Sequence, residues 1–113
     1  MLESIKARLA ILHERVVMHD AHARALWDVA MDKATTLREH RAILAQNERE
    51  KETMIGWSQV PDGARLARLT AELPIHVEAL RRATDDWMAA EAIAKAAAQD
   101  EAKAQPSALF LIS

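Results

Sequence analysis

The sequence predicts an all-α fold: a long antiparallel two-helix hairpin of coiled-coil type, kinked near position 74 and ending in a short apolar C-terminal tail. Three observations carry that reading. The 113 residues are rich in Ala, Leu, Arg, Glu and Lys, all good helix formers. Gly occurs twice and Pro three times, whereas a β-rich chain needs turn residues at frequent intervals. Apolar residues recur at spacings of three and four on both sides of a single strong turn signal.

The first helix is expected over residues 1–54. Its seam runs Leu2, Ile5, Leu9, Leu12, Val16, His19, Ala23, Leu26, Ala30, Lys33, Leu37, His40, Leu44, Asn47, Lys51 and Met54 without a slip. An unbroken three-four repeat is the signature of a helix buried along one stripe against another helix. The early seam is strongly apolar. The later seam alternates with His, Lys and Asn.

Residues 55–63 read as the hairpin turn. Gly56 can end the first helix, and Pro61-Asp62-Gly63 combines a fixed φ, an Asx turn and a glycine. The second helix is expected over 64–104, with the seam Leu66, Leu69, Leu73, His76, Leu80, Ala83, Trp87, Ala90, Ala94 and Ala97. Pro74 lacks a backbone donor and crowds the preceding turn, so a kink or short break is expected near 72–75. A short connection makes the helices antiparallel neighbours. Setting Met54 opposite Leu66 puts Asn47 against Leu73, His40 against Leu80, Lys33 against Trp87 and His19 against Glu101. Lys33 over Trp87 allows a cation–π contact.

In that register the second helix ends opposite Val16, so Leu2, Ile5, Leu9, Leu12 and Val16 lack a same-chain partner. At about 25 cal/mol per Å² of apolar surface, leaving them wet forfeits several kcal/mol. They are therefore the expected homo-oligomer interface. The tail, residues 105–113, carries Leu109, Phe110, Leu111 and Ile112. It either folds back as a cap or docks on another protein by strand addition. Trp57 at the hairpin tip is a second candidate for partner binding.

Chemistry-bearing patterns are sparse. With no cysteine, disulfides and thiolate metal sites are excluded. His13, His19 and His22 lie close together but match no metalloprotease spacing, and no Glu-x-x-His pair occurs, so no metal and no cofactor is expected. The acidic pairs Asp85-Asp86 and Asp100-Glu101 have no pocket to tune them, so no enzyme is expected. Net charge is −2, which does not favour a polyanion. Arg38, Arg41, Arg65, Arg68, Arg81 and Arg82 form a local basic girdle and are the candidates if nucleic acid is bound at all. No apolar run reaches the roughly 18–20 residues of a membrane span, and the N-terminus lacks the apolar core of a secretion signal. The expected location is cytoplasmic, or a virion interior if phage-encoded.

The expected function is therefore non-enzymatic: an oligomeric helical hairpin with a structural, scaffolding or assembly role in a larger complex. In outline it is similar to the central hairpin of phage small-terminase subunits and to stalk proteins of type III secretion. That outline implies a phage particle, a packaging machine or a secretion apparatus. The alternatives are a DNA-associated oligomer that uses the arginine girdle, and a small inhibitor or adaptor that binds a host protein through Trp57.

Overall fold

The structure is a computed structural model. It describes the backbone over residues 2–53 and 63–112, and the side chains over 2–50 and 63–105. Two helices make up the described chain: α1 (Leu2–Thr53, 52 residues) and α2 (Gly63–Ile112, 50 residues). They pack as an antiparallel hairpin, and no strand occurs among the described residues. The hairpin turn and Trp57 lie outside them. Glu3 in the first turn of α1 is an acid placed where the helix dipole favours it.

The pair divides into two compact units. One comprises Met1–Asp28 and Thr84–Ser113, and the other Val29–Ala83. In the first, Ala23, Ala90 and Ala94 are buried. Ile5, Leu9, Leu12, Val16, His19 and Leu26 are half-buried on α1, as are Trp87, Ala97, Glu101 and Ala104 on α2. Alanines at these seam positions let the backbones approach closely. Trp27 and Trp87 supply bulk beside them, with ring centroids 4.7 Å apart and planes tilted by 57°, a favoured aromatic geometry. Nearer the termini, His13 Nδ1 lies 3.0 Å from Glu101 Oε1.

In the second unit, Ala30, Leu37, His40, Leu44 and Ala83 form the buried stripe. Leu66, Leu69, Leu73, His76 and Leu80 flank it, half-buried, from α2. Lys33 is exposed, and Ala34 takes its place on the seam as a half-buried residue. The three-four alternation therefore slips once, at the point where keeping it strict would bury an ammonium group. Trp87 has Trp27 as its ring partner in place of the expected lysine.

The helix α2 is helical on both sides of Pro74, so the proline kinks the helix without stopping it. Two side chains bond carbonyls earlier on α2, neither of them the Thr70 O that the proline frees. Thr70 Oγ1 donates to Leu66 O at 2.8 Å, and His40 Nε2 lies 2.6 Å from Leu69 O. Pro74 itself has no N–H to give to Thr70 O.

The register differs from the expected one. His40 meets His76, their ring centroids 4.7 Å apart, where Leu80 was expected one turn further along. Glu101 pairs with His13 and not with His19. The physical reason is the repeat itself. A slide of about one turn carries every seam residue onto another seam position, so apolar periodicity does not separate the two registers. The second helix is also longer than the expected 64–104. The backbone of α2 runs helically past position 104 to Ile112. Ile5, Leu9, Leu12 and Val16 are half-buried within the chain, and of the five expected interface residues Leu2 is the exposed one.

Candidate functional site

Three surfaces bear on function. The first is a groove in the unit formed by Met1–Asp28 and Thr84–Ser113. Leu12, Arg15 and His19 from α1 face Ile93, Ala96, Ala97 and Asp100 from α2 across its outer part. Further along, His22 and Leu26 face Asp86, Ala89, Ala90 and Ile93. Ile93, 53% exposed, belongs to both stretches. The floor is apolar and small. The α1 wall carries Arg15, His19 and His22, whereas the α2 wall carries Asp86 and Asp100. Ile11 and Met18 flank Arg15 on the same face of α1, at i−4 and i+3, and are 52% and 68% exposed.

The second is a cluster of His40, Glu72 and His76 in the Val29–Ala83 unit. One ligand atom from each lies within 4.8 Å of the other two. Glu72 and His76 are four apart on α2, which sets them on one face, one turn apart. His40 reaches them from α1. It is 7% exposed, whereas Glu72 and His76 are half-buried. A carbonyl only accepts, so His40 Nε2–H donates to Leu69 O; in the neutral ring this puts the lone pair on Nδ1. Among the described residues, Glu72 has no hydrogen bond or ion pair. Two turns along α1, the buried Asn47 Nδ2 has no hydrogen-bond partner among the described residues.

The third is the arginine girdle, which also lies in the Val29–Ala83 unit. Arg38, Arg41, Arg65, Arg68, Arg81 and Arg82 are all exposed. Arg81 grips Glu78 with two bonds, Nε to Oε2 at 2.9 Å and Nη2 to Oε1 at 2.6 Å. Arg82 Nε adds a third at 3.2 Å. Hydrogen bonding from Arg81, opposed by partial burial and helped by Arg82, holds the Glu78 carboxyl at about 2, down from 4.5. Two of the six guanidinium groups thus share a carboxylate on their own helix.

Of the expected partner-binding residues, Trp57 and the side chains of Leu109, Phe110, Leu111 and Ile112 lie outside the described residues. His13, His19 and His22 do not form a three-ligand cluster: His13 bonds Glu101, and the other two line the groove. The His40–Glu72–His76 cluster went unseen in the sequence. The signal was present in part, as Glu72-x-x-x-His76 and as two seam histidines, but it takes the actual register to bring His40 across from His76.

Fold and surface together define an all-helical two-helix hairpin. Among the described residues, no helix is long and apolar enough to cross a membrane. Comparison of the chain with protein-family models, with curated proteins and with solved structures finds no match in any of the three.

Proposed function

We propose that the chain is a non-enzymatic helical-hairpin protein that associates with itself and serves a structural, scaffolding or assembly role in a larger protein complex. By class analogy that complex is a phage particle, a packaging machine or a secretion apparatus. The observation that carries this reading is the shortage of enclosed core. The buried apolar residues are Ala23, Ala30, Leu37, Leu44, Ala83, Ala90 and Ala94, and among the described residues no large side chain is fully buried. Five of these seven are alanines, which bury little area each. Meanwhile Ile11, Val17, Met18, Met88 and Ile93 stay exposed in the unit that carries the groove. Small domains with thin cores commonly recover the missing burial by oligomerisation.

The groove supports a second copy as the first partner. Its α1 wall is basic and its α2 wall acidic. An antiparallel copy related by a two-fold axis sets each basic wall against the other's acidic one, the self-complementarity an isologous interface requires. The arginine girdle supports a nucleic-acid role less well, because Arg81 and Arg82 are engaged with Glu78 and net charge is −2.

Light scattering on the purified chain tests the reading. The expected mass is a multiple of the 12.6 kDa chain. The pair Met18→Asp and Ile93→Asp should return it to one copy while leaving helicity intact. A wild-type chain of single-copy mass across the micromolar range would end the proposal.

A further inference from the structure

We infer that His40, Glu72 and His76 form a binding site for one divalent transition-metal ion of the zinc type, linking α1 to α2 within the Val29–Ala83 unit. The inference stands apart from self-association, which rests on the other unit.

The donor set is two imidazoles and one carboxylate, a combination that suits zinc and its first-row neighbours and not calcium or magnesium, which take oxygen ligands. The geometry is close to what binding needs. Around a tetrahedral ion with bonds of about 2.0–2.2 Å, ligand atoms stand roughly 3.3–3.5 Å apart. Here they lie within 4.8 Å of one another before any ion draws them in. The remaining difference, of about 1–1.5 Å at most, is within the range of side-chain rotation.

The surroundings are also those of a metal site. His40 is held by its Nε2–H on Leu69 O at 2.6 Å, which fixes the ring orientation; in the neutral ring the lone pair is then on Nδ1. Ligand histidines are characteristically oriented in this way, by donating their second nitrogen to a carbonyl or carboxylate. That carbonyl sits in the turn just before Pro74, and Glu72 and His76 straddle the proline. The kinked turn therefore supplies two of the donors and orients the third. Half-burial of Glu72 without a cationic partner among the described residues leaves a negative charge that a bound cation would offset. Three protein donors leave the fourth position of a tetrahedral ion to water or to an outside ligand.

The test uses the full chain, stripped with chelator and titrated with Zn²⁺ by calorimetry and with Co²⁺ by visible absorption. One equivalent per chain is expected, with the intense band of four-coordinate Co²⁺ and a melting temperature that rises with free Zn²⁺. Glu72→Gln and His76→Gln should each weaken binding at least about tenfold. Both residues are half-buried, so these variants should fold even if the more buried His40→Gln does not; circular dichroism checks this. His19→Gln with His22→Gln should leave the affinity unchanged. The inference is overturned by a folded wild type that shows no saturable binding, by unchanged affinity in folded His76→Gln, or by loss of binding in the His19/His22 variant.

Discussion

Glu78 shows how much a single residue decides locally. It lies three and four residues before Arg81 and Arg82, the orientation in which an acid N-terminal to a base supports a helix. Its carboxyl is held at about 2 against a usual 4.5. A folded-state value below the unfolded one means the contribution is fully present above about pH 4.5 and is lost as pH falls towards 2. Replacing Glu78 with Gln should therefore lower the melting temperature at pH 7, with the gap closing between about pH 4.5 and 2 and only a small remnant left at pH 2. A gap undiminished at pH 2 would show that the arginine contacts are not its source. Ala94 shows the opposite kind of constraint. It is 4% exposed on the seam between the helices, where extra methylenes have little room. Ala94→Leu should cost about 1–3 kcal/mol. Ala92→Leu, on the exposed side of the same turn, should stay within about 0.5 kcal/mol. Thermal melts of the two variants separate seam packing from simple helix propensity.

At the scale of the element, α2 is the more informative helix. A proline inside a helix removes one ladder bond and normally costs about 3 kcal/mol. Here the helix continues through Pro74, while the Thr70 and His40 side chains bond Leu66 O and Leu69 O and leave Thr70 O without its helical donor. Pro74→Ala returns a donor to Thr70 O and should raise the melting temperature and the helical ellipticity. A fall instead would mean that the bend is needed to place Leu69 O under His40, at the turn that also carries Glu72 and His76. In α1, the exposed Lys33 and half-buried Ala34 mark where the strict repeat gives way. Desolvating an ammonium outweighs keeping heptad spacing for one turn.

For the whole molecule, the balance between enclosed and exposed apolar surface sets behaviour. A hairpin whose buried residues are mostly alanine gains little from burial, and the conformational cost of ordering two long helices is large. Association supplies the difference in the reading proposed here. It follows that the melting temperature should rise with protein concentration, as for any equilibrium in which copies bind the folded state. A melting temperature constant over a hundredfold range of concentration would indicate that the two helices suffice alone.

Helix identity, helix number and antiparallel pairing were legible in the chain itself, because three-four periodicity, scarce glycine and one strong turn signal are local properties. The seam positions of α2 were legible for the same reason, and all of them are buried or half-buried. Register was not, since sliding one helix by a turn leaves the apolar pattern satisfied and only specific side-chain contacts break the tie. Trp27 on Trp87, His13 on Glu101 and His40 beside His76 are such contacts. The Glu72–His76 half of the cluster is a local spacing, but its completion depends on register, because His40 is more than thirty positions away in the chain and meets the pair only when the two helices are correctly aligned.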